Sequence, residues 1–259
     1  MIRLVFTLRR QSHLSRSDFQ EYWLNQHAPL VASVATDLNI LRYVQTHTMD
    51  DPANKAMQKV RGEMEPEYDG VAELWWSTEA ELEAAMASEA GQAAGAMLLA
   101  DEEKFINLPN SPLWFAYEYP QVNPTPEHLL ARKNSSLARV FFPLRQQSHL
   151  SDAQARHYWL TQHGPIVRAG ATAAGMLRYQ QVHRADTPLN EALRASRNTA
   201  VDSYLGHAEV WIDRSKAPDT TEARAAGRSF VEDEFNFIDM ARSTIWLGKE
   251  HSVIDRRLS

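Results

Sequence analysis

Residues 11–30 read QSHLSRSDFQEYWLNQHAPL, and residues 147–166 read QSHLSDAQARHYWLTQHGPI. The shared QSHLS, YWL, QH and Pro all stand at an offset of 136. Extending that register outward gives 25 identities in 52 positions between residues 1–52 and 137–188. The register continues through Tyr68/Tyr204, Gly70/Gly206, Glu73/Glu209 and Trp75/Trp211. After a four-residue shift, Asp101-Glu102 match Asp233-Glu234 and Phe105-Ile106 match Phe237-Ile238. A repeat this extensive means two copies of one structural unit. The copies divide as 1–119 and 137–259, with a Pro-containing linker at 120–136.

Within one copy, the alternation of residues 2–9 predicts a strand. Ser15 with Asp18, and Ser151 with Gln154, have capping-box spacing and open a helix in each copy. Phe19, Tyr22, Trp23 and Gln26 follow at i, i+3, i+4 and i+7, so one helical face carries them to the core. Pro29 is expected to end that helix and to start a second segment at 30–38, which puts His27 at the break. Residues 41–48, 68–76 and 112–119 read as strands, and Thr78 with Glu81 opens a long helix. The order β-α-β-β-α-β is the ferredoxin-like split. Such a module covers one sheet face with helices and leaves the other open. The second copy can bury that face, sheet to sheet, within the same chain. The space between the sheets is then the expected ligand site.

Composition narrows the function. The chain has 259 residues, a formal charge of −6 and no cysteine. An acidic chain without a basic face is not expected to bind nucleic acid. Thiolate catalysis, disulfides and Cys-ligated metals are excluded. No apolar run approaches the length of a membrane span and no signal peptide is read at the N-terminus, so a cytoplasmic protein is expected. No G-x-G-x-x-G, Walker or H-E-x-x-H pattern is present, so neither a nucleotide cofactor nor a metal site is expected.

Phe19 to Leu30, Arg42 to His47, Tyr68 to Trp75 and Asp101 to Ile106 together resemble the EthD family. The second copy departs from the pattern at Ala155, Leu205 and His207, which stand where the first has Phe19, Asp69 and Val71. The resemblance implies an intramolecular dimeric α+β barrel. It also implies a chemically diverse superfamily of cofactor-free lyases, isomerases and oxygenases, haem enzymes and accessory proteins.

The candidate site residues follow from chemistry near neutral pH. His27/His163 and His47/His183 are repeat pairs able to exchange protons. His13 and His149 read as solvated loop residues. Tyr43, Gln45 and His47, with Tyr179, Gln181 and His183, share a strand face that is oddly polar for a core, which suggests substrate contact. Gln26 and Gln162 adjoin the helix-break histidines, and Trp75 and Trp211 supply aromatic walls. Asp69 and His207 mark asymmetric positions that could distinguish a working copy. Glu73 and Glu209 need cationic partners, with Arg42 and Arg178 the expected ones. The expected function is cofactor-independent acid–base chemistry, such as decarboxylation, dehydration or aldehyde release. The substrate would be a small hydrophobic, aromatic, phenolic or polyketide-like compound. Lactone isomerisation, a carrier role and haem chemistry are the alternatives, and a homodimer of two-module chains is a further expectation.

Overall fold

The computed structural model describes residues 1–123 and 129–257. Pro124 and Pro126 of the expected linker lie outside them. The first copy runs β1 (Ile2–Leu8), α1 (Arg16–Tyr22), α2 (Ala28–Ser33), β2 (Arg42–Thr48), α3 (Pro52–Lys59), β3 (Gly70–Trp76), α4 (Glu79–Ala87), α5 (Glu89–Phe105) and β4 (Leu113–Val122). The second runs β5 (Leu137–Leu144), α6 (Asp152–Tyr158), α7 (Gly164–Gly170), β6 (Met176–Arg184), α8 (Leu189–Ser196), β7 (Gly206–Asp213), α9 (Thr221–Glu234) and β8 (Trp246–Asp255).

The two sheets do more than face each other. They close into one eight-stranded barrel in the order β1-β3-β2-β8-β5-β7-β6-β4. Closure depends on β4 and β8, each ten residues long. The start of β4 pairs with β1 of its own copy, and its later part, from Ala116 onward, pairs with β6 of the other. In the same way β8 pairs with β5 and then with β2. Full closure removes the exposed edges that each four-stranded sheet would otherwise present. Pro120 therefore belongs to β4 and not to the linker, at a register shift where a missing N–H is tolerated.

Both faces of the strands are covered over most of their length, apart from the later part of β4, where Tyr117 and Tyr119 are exposed. Leu4, Phe6 and Leu8 join Trp23, Val31 and Leu98 beneath the first copy's helices. Phe142 and Leu144 join Trp159, Val167 and Phe230 beneath the second copy's helices. A third cluster, including Val5, Val71, Trp114, Phe141, Val182 and Trp246, fills the barrel.

Pro29 does not break the helix. Between α1 and α2 the chain makes a π-helical turn, Trp23–His27, in which the Ala28 N–H reaches the Trp23 carbonyl. Trp159–His163 repeats it, closed by Gly164 N–H onto the Trp159 carbonyl. The extra residue moves the buried face along by one. His27 and His163 turn inward, while Gln26 and Gln162, inward by strict 3.6-residue spacing, are exposed.

Helices α3 and α8 were not expected from the sequence, and they cross between copies. Asn54 of α3 accepts from the Leu247 N–H of β8 at 2.8 Å. Asn190 of α8 accepts from the Phe115 N–H of β4 at 2.7 Å. Each copy thus lays one arm over the other's sheet.

Candidate functional site

The barrel lumen, the expected ligand site, is filled. Arg139 meets Glu73 at 2.5 and 2.8 Å, Glu250 at 3.3 Å and Glu209. Arg3 meets Glu73 and Glu118, both at 3.1 Å, and Glu209. These are the cationic partners that Glu73 and Glu209 required, in place of Arg42 and Arg178. Those two instead stack over Trp75 and Trp211, at 4.4 and 4.7 Å. Trp75 and Trp211 line the lumen as well, donating to Glu118 and Glu250 at 2.7 Å, so they are not walls of a ligand pocket. Glu73, His207 and Glu209 converge closely enough to hold a cation. Two guanidinium groups already neutralise those carboxylates.

His207 is sealed in this cluster, stacked on Phe141 at 4.1 Å. Burial holds its imidazole down at about 4, against the pull of Glu209. Asp69 takes hydrogen bonds from the Arg10 backbone at 2.9 Å and from Arg16 at 3.1 Å, beside a surface loop. Neither residue lines the two cavities described next; Asp69 lines a separate, polar concavity with Arg9, Arg10 and Arg16.

Tyr43, Gln45 and His47 also face opposite to expectation, outward beneath the helices. Their bonding is directional. Gln45 Nε2 donates to the Trp23 carbonyl and to the Tyr43 hydroxyl, both at 2.9 Å, which leaves Gln45 Oε1 to accept from His47 Nε2 at 3.0 Å. Tyr179, Gln181 and His183 repeat the pattern at 2.8, 3.2 and 3.0 Å. Gln45 and Gln181 are spent on this bracing. His47 and His183 stack on Trp23 and Trp159, at 4.8 and 4.5 Å. Burial holds both imidazoles at about 3, neutral throughout the range where acid–base work is done.

Two cavities lie between the sheet and the helices, one in each copy. The second copy's measures about 630 Å³ and the first's about 310 Å³. His163 and Tyr179 line the larger, and His27 and Tyr43 the smaller. His163 Nδ1 lies 2.8 Å from Asp233 Oδ2, and His27 Nδ1 lies 2.8 Å from Asp101 Oδ2. The hydrogen bond from His163 holds the Asp233 carboxyl below its ordinary range. Burial pushes the Asp101 carboxyl up, but bonds from His27, Lys104 and Tyr22 outweigh it. An ionised carboxylate only accepts, so Nδ1 carries the proton and Nε2 is the basic nitrogen. No described residue hydrogen-bonds to Nε2. Tyr158 and Tyr22 donate to the other carboxylate oxygens at 2.8 Å and fix the dyads.

The tyrosines add a donor. Tyr179 Oη accepts from Trp159 Nε1 and Gln181 Nε2, both at 3.2 Å. Tyr43 Oη accepts from Trp23 Nε1 and Gln45 Nε2, both at 2.9 Å. With both lone pairs engaged, each hydroxyl has only its proton left to offer, and both residues border a cavity. Burial raises both phenols, so they remain donors at neutral pH.

Each cavity is completed by the other copy's arm. Arg61, just past α3, clamps Glu234 at 2.6 and 2.8 Å and borders the larger cavity with Met57 and Val60. Arg197, just past α8, clamps Glu102 at 2.8 and 2.9 Å and borders the smaller with Leu193 and Ser196. Sequence reasoning assigned no role to Asp101, Asp233, the two glutamates or the two arginines. The signal was there: Asn54/Asn190 and Arg61/Arg197 keep the offset of 136.

A closed barrel of two ferredoxin-like halves, each with a cavity under its helices, defines a dimeric α+β barrel protein. The EthD domain model matches residues 11–109 and 147–241, more than half of the chain, and the chain belongs to the EthD family. Among solved structures it is similar to an anthrone oxidase-like protein at 11% identity and a TM-score of 0.51, covering 98% of this chain and 94% of that one. An EthD family protein from Bacillus halodurans is 20% identical, with 46% of this chain and 99% of that one covered and a TM-score of 0.33. A chlorite dismutase variant from Candidatus Nitrospira defluvii is 11% identical, with 96% and 91% covered and a TM-score of 0.42. At 11% identity the likeness to the anthrone oxidase-like protein speaks of fold alone. No curated protein matches the sequence. Among the described residues no helix is long and apolar enough to cross a membrane.

Proposed function

We propose that the chain is a cofactor-independent acid–base enzyme, a lyase in the wide sense, working on a small aromatic, phenolic or polyketide-like compound. The observation that carries this reading is the His163–Asp233 dyad, whose histidine lines a mainly apolar cavity of about 630 Å³. His163 Nε2 takes the proton of a phenol or enol. The Tyr179 hydroxyl donates to the substrate oxygen as charge develops there. The electron pair of that oxygen then moves into the conjugated system, where it either breaks the C–O bond of a conjugated hydroxyl or draws a proton onto the carbon that bears a carboxylate, which departs as CO2 and leaves its bonding pair on the ring. The imidazolium, stabilised by Asp233, gives its proton to the departing hydroxide or to that carbon. Isomerisation of an unsaturated lactone would draw on the same groups.

The test is turnover of aromatic acids and hydroxylated polycycles. On a substrate so found, His163→Ala is expected to lower kcat by about 10²- to 10⁴-fold, the usual worth of general acid–base catalysis. Asp233→Asn should lower it while thermal melting shows the fold intact. Tight binding without turnover on the whole panel would make the protein a carrier. A Soret band on addition of haem, lost in His163→Ala, would put a haem enzyme in its place.

A further inference from the structure

The His, Tyr, Glu and Arg pairs of the two cavities match, but the rest of their walls do not. Trp76, which borders the smaller cavity, is replaced by Ile212 in the larger, and Leu38 is replaced by Ala174. Leu82 and Met86 of α4 also border the smaller cavity. The second copy has only a 3-10 turn, Arg214–Lys216, between β7 and α9. Three changes run the other way: Phe230 for Leu98, Arg228 for Ala96 and Val60 for Ser196. Phe230, however, stands over Gly170, where a Cβ would come within 2.7 Å of its ring. The first copy has Val34 at that point, so Phe230 refills the space of a missing side chain and not the cavity.

We infer that the two cavities are a matched pair of sites sorted by ligand size. The first copy's takes a single-ring phenol, and the second copy's takes fused polycyclic phenols as well. This rests on the reading of the His–Asp dyads as ligand-facing groups, and it adds a second site with its own substrate class. Trp76 has little freedom to yield. Its indole donates to the Leu38 carbonyl at 2.7 Å, and its ring packs edge-on to Phe115 at 6.1 Å. A rigid aromatic wall excludes a rigid polycycle because neither partner can rearrange.

Calorimetric titration of the full chain with phenol and with dihydroxyanthraquinone tests this. Phenol is expected to fill two sites per chain and dihydroxyanthraquinone one. Ile212→Trp should weaken dihydroxyanthraquinone binding by roughly tenfold or more, the range that pocket-filling groups command, while phenol still fills two sites. Trp76→Ile with Leu82→Ala should open a second dihydroxyanthraquinone site. Two dihydroxyanthraquinone sites in the wild type, or a single site that survives Ile212→Trp unweakened, would overturn the inference. Should neither probe bind, the acid–base reading falls with it. Sorted binding beside a His163→Ala variant that turns substrate over at the wild-type rate would sink the chemistry alone.

Discussion

In the first copy Asp101 holds His27 and Glu102 holds Arg197; in the second Asp233 holds His163 and Glu234 holds Arg61, all between 2.6 and 2.9 Å. Around this shared frame the cavities differ twofold, about 310 against 630 Å³. The contrast follows from the cost of each kind of change. Losing one member of a buried polar pair strands the other, at about 1–3 kcal/mol or more. Trimming an apolar wall proceeds by single side chains, and nearby groups can refill part of the space, as Phe230 does above Gly170. Polar geometry is therefore held as a set, while cavity shape can change piecemeal.

The comparison can be broken most forcefully in the barrel lumen, where the copies share one ion cluster. Arg139→Met should cost about 3–5 kcal/mol in chemical denaturation, because Glu73, Glu209 and Glu250 are left buried together. Arg3→Met should cost a similar amount. A loss below 1 kcal/mol in both would show that the lumen does not hold the halves together.

A smaller effect separates the cavities. Arg61→Ala and Arg197→Ala should each cost about 2 kcal/mol, from loss of a partly shielded two-point ion pair. Their ligand effects should cross over. Arg61→Ala, in the first copy, should weaken dihydroxyanthraquinone binding several-fold, and Arg197→Ala should leave it unchanged. The reverse outcome, read by the same titration, would show that each arm serves its own copy.

The smallest effect concerns His207 and its counterpart Val71. His207 Nε2 lies 2.9 Å from an Arg3 donor and 2.6 Å from the Glu209 acceptor. A neutral ring nitrogen can satisfy only one of them, and Nδ1 finds no partner among the described residues. His207→Val should therefore shift stability at neutral pH by no more than about 1 kcal/mol. Acid should separate the two proteins. The native ring is held at about 4 while an ordinary histidine titrates at 6.5, so the unfolded chain gains a proton first as pH falls. His207 thus costs nothing above pH 6.5 and destabilises progressively between 6.5 and 4. Melting curves across that range should fall less steeply for the variant. Parallel curves would mean that the ring protonates freely in the fold.

The repeat, the succession of strands and the helix N-caps at Ser15 and Ser151 were legible in the sequence, because each depends on local spacing; the reciprocal capping box forms only at Ser151. The orientation of the strands was not. Alternation shows that Tyr43, Gln45 and His47 share a face, but a barrel strand under helices has two covered faces. Here the inner face carries Arg3, Glu73 and Glu209, so polarity does not tell lumen from helix side. The π-helical turns escaped notice for a related reason. One added residue exchanges Gln26 for His27 on the buried face, and nothing in the hydrophobic pattern requires it. Arms α3 and α8 were missed because their contacts join residues 75 to 193 positions apart.

The crossing of those arms has a consequence for what the chain can lose. In an ordinary tandem repeat each unit carries its own site, so damage to one leaves the other whole. Here the wall of the larger cavity is finished by Met57, Val60 and Arg61, which belong to the opposite half. A lesion in residues 52–61 would strike the site at His163 while sparing every residue of the fold that surrounds it in its own half. The duplicated copy is not a spare.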